Sequence, residues 1–329
     1  MNYTVTIRTG LKLGVLALFT ICWSCDGPTA EQTTTSSEEA TVTKRTQALL
    51  LTQNFSFDEN QIDTVSGPYL AQNRLVIPPN LAPQNKWIMF EGPVLENDVI
   101  AYRFYADSRH RFDIYAKSVP DLVMDTVSWN YHDIMNWGSD VLKVENSLGI
   151  GSPAIWYQDS LYTLSDSDEK VIEIIENGDE AALIRTTFKG LAIGSEKFDL
   201  IQDWHIEAGE AWSTIQLEVV NGSLPEGMFF ATGIVKHLPE VTTGTAGNAF
   251  YAYTWGNQSF HHENLGMGIV APQASQPEAV TDDLSHAYLF RQPRQKVAYA
   301  FLAAWERGNS GVKDDAGMKK LIEEAAGDW

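Results

Sequence analysis

Cysteine is almost missing from this chain. Cys22 and Cys25 are the only two among 329 residues, and both stand near the N-terminus. The rest of the chain therefore has no disulfide bond, no catalytic thiol and no cysteine-ligated zinc site. A serine elbow, a phosphate-binding loop, a zinc-protease helix and a dinucleotide fingerprint are missing as well. The common hydrolase, nucleotide and metalloprotease reactions thus lose their sequence support, and we expect no cofactor and no metal.

Basic residues are also scarce. The chain has 23 lysines and arginines against 43 aspartates and glutamates, which gives a formal net charge of −20. Such a charge repels the phosphates of nucleic acid, which we therefore exclude as a partner. Apolar residues make up 44% of the chain and include 10 Trp, 12 Tyr and 14 Phe. This supply suffices for a large core and for flat rings that stack on sugars.

The apolar run near the N-terminus is short. Residues 13–23 form a run of eleven residues, whereas a membrane-spanning helix needs about 20. Arg8 and Lys12 precede the run, and Ser24 and Cys25 follow it, which is the arrangement of a lipoprotein signal peptide. We expect residues 1–24 to be removed and Cys25 to be lipidated. The product would be an exported lipoprotein that is attached to a membrane through its lipid and located at the outer membrane or in the periplasm. The alternative is an ordinary cleaved signal beside a spare cysteine.

The chain after the signal divides into two parts. Residues 25–50 are mainly Thr, Ser and Glu. They have little to bury and predict a flexible tether. Residues 51–329 contain no second linker and no internal repeat, so we expect them to form a single domain.

Short runs of alternating or continuous apolar residues, divided by Gly, Pro, Asn and Asp, predict many strands. The predicted strands are residues 87–90, 99–106, 112–117, 170–176, 181–187, 198–207, 212–220, 228–236, 249–255, 266–271 and 298–305. Only residues 318–326 and, more weakly, 120–127 have helical patterns. So many strands with so few crossover helices predict an all-β fold, a large antiparallel β-sandwich with few short helices.

Residues 97–107 predict a strand with two different faces. Alternation places Arg103 and Tyr105 on the same face, and Arg109, Arg111 and Lys117 follow within a few residues. In so acidic a chain this region is locally positive. It predicts a groove for a carboxylated or sulfated ligand, and the alternative is a solvated hairpin held by ion pairs.

Residues 129–152 are the densest stretch of polar and aromatic side chains. His132 lies in a loop-like pattern and has an ordinary pKa suited to proton transfer at neutral pH. Asp140 and Lys143 are close enough in sequence to form an ion pair. Elsewhere, His205 and His237 stand on or beside predicted strands. The pair His261-His262 resembles a metal site. Neighbouring residues on a strand point to opposite faces, however, so the two imidazoles could not bind one ion without a bend in the chain.

Several motifs resemble a family catalogued as a domain of unknown function and encoded in bacterial polysaccharide-utilisation clusters. They are EGPV at residues 91–94, END at 96–98, AYR at 101–103, YH at 131–132, WG at 137–138, DVLKV at 140–144, SLG at 147–149, GIVKH at 233–237 and FLAAWE at 301–306. The resemblance covers most of the folded chain, with departures at Ser139 and Glu145. It implies a sandwich related to galactose mutarotases and polysaccharide lyases. One branch of the family is associated with ulvan breakdown, as an oligosaccharide dehydratase.

The reaction implied by this resemblance removes water from a non-reducing-end glucuronate and leaves a 4,5-unsaturated uronate. It requires a cation at the sugar carboxylate, a base for the proton on carbon five and an acid for the leaving hydroxyl. We assign Arg103 as the cation with Lys143 as a second, His132 as the base, and Tyr105 or Tyr131 as the acid. The further substrate contacts expected are Asn97, Arg111, Trp137, Asp140, His205 and His237, and the two histidines are substitutes for His132.

These assignments require Arg103 and His132 to share a cleft. The partner would then be an anionic, ulvan-derived oligosaccharide. Three alternative functions compete with this hypothesis. They are a polysaccharide lyase with the same catalytic logic, a surface glycan-binding lipoprotein without turnover and, more remotely, a mutarotase-like epimerase.

Overall fold

The computed structural model describes residues 44–56, 64–79 and 81–329. All of them belong to one compact unit, Val42–Trp329. The predicted signal peptide, Cys25 and most of the predicted tether lie outside the described residues. None of the described helices is long and apolar enough to cross a membrane.

Strands dominate the described residues, as the alternating pattern predicts. The first ten strands are β1 (Thr46–Leu49), β2 (Leu51–Ser56), β3 (Thr64–Ala71), β4 (Arg74–Ile77), β5 (Val94–Asn97), β6 (Ile100–Phe104), β7 (Phe112–Lys117), β8 (Gly138–Asp140), β9 (Ala154–Tyr157) and β10 (Ser160–Thr163). The remaining strands are β11 (Glu169–Asn177), β12 (Ala181–Ile193), β13 (Glu196–Glu207), β14 (Trp212–Val219), β15 (Phe229–Val235), β16 (Thr242–Ala246), β17 (Ala249–Asn257), β18 (Asn264–Pro272), β19 (Pro277–Val280), β20 (Ser285–Phe290) and β21 (Lys296–Trp305).

The strands form antiparallel sheets that face one another across a common core. One sheet has nine strands in the order β16-β17-β18-β21-β14-β13-β12-β11-β4, and a five-stranded sheet has the order β1-β5-β6-β7-β8. A second five-stranded sheet runs β10-β9-β15-β20-β19, and β2 pairs with β3. Between the two layers the ring of Phe112 lies 4.8 Å from Trp204 and 5.1 Å from Phe301. The predicted antiparallel β-sandwich is confirmed.

Helix α1 (Asp315–Gly327) covers part of the outer face of the nine-stranded sheet. The carboxylate of Asp314 accepts the amide of Gly317 at 2.8 Å and so caps its N-terminus. Met318 and Ile322 are fully buried and lie over Gly266 and Gly268 of β18. The predicted helix at residues 318–326 is confirmed, and it begins one turn earlier.

Three local expectations are wrong. Residues 87–90 do not form a strand, because Met89–Glu91 makes one 3-10 turn in which Phe90 has φ 62°. Residues 120–127 form bends and turns rather than a helix. The folded region also begins before residue 51, because β1 pairs with β5 and Ala48 is buried. The short, polar sequence of β1 concealed this strand among the residues of the predicted tether.

Candidate active site

Three neighbouring strands supply the charged centre of the site. Antiparallel pairing of β6 with β7 sets Arg103 opposite Asp113. Pairing of β7 with β8 sets Tyr115 opposite Asp140. Side chains two residues apart share a face of the sheet, so Asp113 and Tyr115 point the same way as Arg103 and Asp140. The local register thus gathers one cation and two carboxylates on one face.

Arg103 lies at the middle of this cluster, and its side chain is only 1% exposed. Its Nη2 is 2.6 Å from Oδ2 of Asp113 and 2.9 Å from Oδ2 of Asp140. Its Nη1 donates to the carbonyl of Phe90 at 3.2 Å. Burial alone would lower the pKa of Arg103, but the surrounding phenols and carboxylates raise it well above its usual value. The guanidinium is therefore charged, and both of its terminal nitrogens donate to protein groups.

Three tyrosine rings enclose the guanidinium. The ring centroids of Tyr105, Tyr115 and Tyr131 lie 4.3, 5.0 and 5.1 Å from its central carbon, within cation–π range. The Tyr105 hydroxyl accepts from Arg103 at 2.6 Å and donates to Asp113 at 2.8 Å. The Tyr131 hydroxyl accepts from Arg103 at 3.1 Å. Burial raises the pKa of each of these phenols, so all three are neutral near pH 7.

His132 connects the buried cluster with solvent. Its side chain is 56% exposed, and its Nδ1 lies 3.4 Å from Oδ2 of Asp140, which is itself 1% exposed. Partial burial, followed by the charge of Arg103, lowers the pKa of His132 below 6.5. The imidazole is therefore neutral at pH 7. A carboxylate that accepts the proton of Nδ1 would leave Nε2, on the other side of the ring, unprotonated.

Asp140 is the link between His132 and Arg103. Burial, and next the charge of Asp113, raise its pKa well above the ordinary 3.8, while Arg103 opposes the rise. Glu91 adds a third carboxylate, with Oε1 3.9 Å from Arg103 Nη1. Three carboxyl groups thus lie around the guanidinium of Arg103. A pKa raised at a carboxylate beside an exposed imidazole is a frequent mark of an active site.

A second histidine approaches from the connection between β17 and β18. His261 Nε2 lies 2.8 Å from the hydroxyl of Ser139, which also contacts the carbonyl of Tyr131. The ring of Phe260 lies 5.7 Å from that of His132 and 5.2 Å from that of His261. Phe260 is 46% exposed, so two imidazoles flank an accessible aromatic ring. Sequence reasoning missed this arrangement, because these residues stand far from residue 132 along the chain.

The pair His261-His262 does not build a metal centre. Within the described ranges, no group of three or more His, Cys, Asp or Glu side chains could hold a metal ion. His262 has φ 60° and lies in the turn that carries Phe260. This turn, rather than a strand, positions His261.

Several predicted site residues form a separate surface group. Lys143 pairs with Glu145 at 2.8 Å, so the suggested pairing of Lys143 with Asp140 is wrong. His237 Nε2 lies 2.7 Å from the carbonyl of Lys143. Arg111 donates to the carbonyl of Glu145 at 2.6 Å. The group is joined to the site through the backbone, because the Phe260 amide donates to the carbonyl of Val141 at 2.7 Å.

Other predicted contacts lie elsewhere. Asn97 is fully buried and donates to the carbonyl of Glu210 at 2.7 Å. This hydrogen bond links the end of β5 to the connection between β13 and β14. His205 stands on β13 with Nδ1 3.9 Å from Glu207. Trp137 is half-buried against Tyr115, with 6.3 Å between ring centroids.

The predicted positive groove is wrong. Three of its four cations are neutralised by carboxylates: Arg103 as described above, Arg109 by Asp107 and Glu91, and Lys117 by Glu96. The fourth, Arg111, contacts the carbonyl of Glu145. Strand alternation correctly predicted the shared face of Arg103 and Tyr105. It carried no signal that acidic partners and tyrosine rings would cover that face.

Comparison with known proteins identifies a family. The model described as "Domain of unknown function (DUF4861)" matches residues 29–328. The chain belongs to this family. The resemblance to a family of unknown function is thus confirmed. The description of this family names no reaction. No curated protein matches the DUF4861 chain.

One solved structure similar to this DUF4861 chain is described as a putative aldose 1-epimerase from Klebsiella pneumoniae subsp. pneumoniae MGH 78578. The two share 9% sequence identity with a TM-score of 0.38, and the match covers 86% of this chain and 95% of the other. So distant a likeness assigns no residue in the site.

Proposed function

We propose that this DUF4861 chain is a carbohydrate-active dehydratase. It would eliminate water from a non-reducing-end glucuronate of ulvan-type oligosaccharides and leave a 4,5-unsaturated uronate. The observation that supports this function is the half-exposed, neutral imidazole of His132, with Nδ1 3.4 Å from the buried carboxylate of Asp140.

His132 would act as the base. The C5–H bond breaks and its proton passes to Nε2, while the electrons form the C4–C5 double bond. Asp140 would stabilise the imidazolium that results, since an opposite charge nearby favours the protonated form. Arg103 would keep Asp140 in place and act as a positioning residue. We no longer propose that Arg103 binds the sugar carboxylate, because its side chain is 1% exposed and hydrogen-bonded to protein groups.

His261 would act as the acid. It lies across Phe260 from His132, so a sugar over this ring would have an imidazole on either side. A proton from His261 converts the departing C4 hydroxyl to water. Lys143 stays a proposed cation for the uronate carboxylate, and its side chain is 61% exposed beside Glu145. Tyr105 and Tyr131 are less suitable as acids, because both phenols are buried in the Arg103 cluster.

Aromatic stacking would hold the sugar ring. Phe260 is exposed between the two histidines. Trp137 is half-buried on the loop that carries His132. Rings of this kind bind the apolar face of a sugar while leaving its hydroxyl groups to polar neighbours.

The test is His132→Ala with glucuronate-ended oligosaccharide, followed by the ultraviolet absorbance of the unsaturated product. Loss of a general base typically lowers the rate by about 10²–10⁴-fold. His205→Ala is the matched control, since His205 lies on β13 with its Nδ1 3.9 Å from Glu207. The rate of this variant should equal that of the wild type. Undiminished turnover by His132→Ala would remove His132 as the base.

Mass spectrometry of the same reaction separates the proposed activity from its competitors. Loss of one water at unchanged chain length identifies a dehydratase, whereas a lyase shortens the chain. Affinity without any unsaturated product would identify a glycan-binding protein. We also propose lipidation at Cys25 and export to the outer membrane or periplasm, to be tested by mass analysis of the mature N-terminus.

A further inference from the structure

A row of aromatic rings leads away from His132. Successive ring centroids from Tyr69 through Trp129, Tyr131 and His132 to Phe260 lie 6.3, 6.0, 4.6 and 5.7 Å apart. Tyr131 is 3% exposed, but the rings on either side of it reach the surface. The row therefore has two accessible ends, His132 with Phe260 at one and Trp129 with Tyr69 at the other.

The Trp129 end is held together by hydrogen bonds. The indole N–H of Trp129 donates to the Tyr69 hydroxyl at 3.1 Å, and that hydroxyl donates to the carbonyl of Lys86 at 2.7 Å. The ammonium of Lys86 lies 5.9 Å from the centroid of the Trp129 ring. A cation thus stands over the edge of a fixed aromatic platform formed by Trp129 and Tyr69.

The charge of Lys86 is not neutralised by the described part of the chain. Most described cations pair with carboxylates, whereas no described carboxylate pairs with the lysines Lys44, Lys86, Lys170, Lys236, Lys313 and Lys320. Of these lysines, Lys86 and Lys170 lie beside an aromatic ring. Lys170 is buried, whereas Lys86 is exposed.

We propose that Trp129, Tyr69 and Lys86 form a second sugar subsite for a residue that carries an anionic group. This inference rests on the proposed function, because it assigns the first subsite to the reacting uronate at His132. The sugar ring would pack on Trp129, and its sulfate or carboxylate would meet the ammonium of Lys86. A flat ring and a single compact cation suit such a residue, since Lys binds an anion as a point charge.

The arrangement also sets the length of the substrate. Trp129 and His132 are separated by one intervening ring, so a chain bound at both ends must have at least two sugar residues. The enzyme should therefore prefer an oligosaccharide to a single glucuronide, and the preference should depend on charge at the second residue.

Calorimetry tests this on the inactive His132→Ala protein, with three probes: methyl glucuronide, a glucuronate-ended disaccharide with a sulfate on the second sugar, and the same disaccharide without sulfate. Lys86→Gln should weaken binding of the sulfated disaccharide about fivefold, the scale of one exposed charge pair. Binding of the other two probes should not change. Lys320→Gln is the matched control, an exposed lysine on α1 that should alter nothing.

Trp129→Phe and Trp129→Ala provide the second measurement. The phenylalanine variant keeps a ring and should retain most of the affinity for both disaccharides, whereas the alanine variant should lose it without losing methyl glucuronide. Equal effects on all three probes, no effect of Lys86→Gln, or no binding of either disaccharide by the parent protein would overturn the subsite. Disaccharide binding with this pattern, but no product from the wild type, would refute the dehydratase and leave the subsite standing.

Discussion

Replacing Arg103 by methionine removes the cation from the buried cluster and keeps a side chain of similar length. Oδ2 of Asp113 and Oδ2 of Asp140 then lose a shared partner that lies 2.6 and 2.9 Å away. Both carboxylates are 1% exposed, so water does not replace the guanidinium. Breaking a buried pair in this way typically costs about 3–5 kcal/mol. We expect the free energy of unfolding to fall by that amount near neutral pH.

The cost should depend on pH. Burial and Asp113 already raise the pKa of Asp140 well above 3.8, and the charge of Arg103, followed by a hydrogen bond from the backbone of Leu142, opposes this rise. Without Arg103 the pKa of Asp140 in the folded state rises further. The folded protein then binds more protons than the unfolded chain between pH 3.8 and the raised pKa, so its stability falls as pH rises through this window. The deficit relative to wild type should be smaller at pH 5 than at pH 8.

Urea unfolding followed by tryptophan fluorescence at both pH values measures the deficit. Arg185→Met is the matched control, since Arg185 pairs with Asp203 at 2.7 Å but its side chain is 38% exposed, and such a pair contributes about 0–1 kcal/mol. Adding Asp140→Asn to Arg103→Met should restore part of the loss. Equal deficits for the two arginine variants, or a pH-independent deficit for Arg103→Met, would refute the reasoning.

Two further predictions concern the same region. Because the pKa of His132 lies below 6.5 and a base must be neutral, the midpoint at which kcat/KM falls with decreasing pH should lie below pH 6.5; a midpoint above pH 6.5 would contradict this. Gly92→Ala should destabilise the protein by about 1–3 kcal/mol or more, because the added Cβ would lie 1.8 Å from the carbonyl oxygen of Phe104. Gly222→Ala, with no atom within 4 Å, is its control in the same unfolding assay and should change stability by less than about 0.5 kcal/mol.

The long strands were predictable because their burial alternates. In β12 and β13, buried and half-exposed residues follow one another along most of their length, and this is the pattern that the sequence shows. β8 has only three residues, Gly138–Asp140, which is too few for any periodicity. In the turn at Met89–Glu91, the apolar residues Met89 and Phe90 are buried without belonging to a strand. Apolar runs of that length do not distinguish the two cases.

The candidate site was predictable in part. Alternation along one strand placed Arg103 and Tyr105 together, and the loop-like sequence around His132 suggested an accessible imidazole. Antiparallel register then decided which acidic residues would meet the guanidinium, and no pattern in a single sequence reveals that register. His261 and Phe260 come from the β17–β18 turn, so their approach to His132 depends on tertiary packing.

The cost of the Arg103 cluster is itself an argument for its function. Buried ion pairs contribute little net stability, and replacing them by apolar side chains is often neutral or stabilising. This protein nevertheless buries Arg103, Asp113 and Asp140 in a layer that contacts solvent through His132. A fixed carboxylate beneath an exposed imidazole selects which ring nitrogen carries the proton and stabilises the charge that appears when the ring takes another. Stability alone would be served by an apolar layer, whereas the general base that we propose at His132 requires the charges.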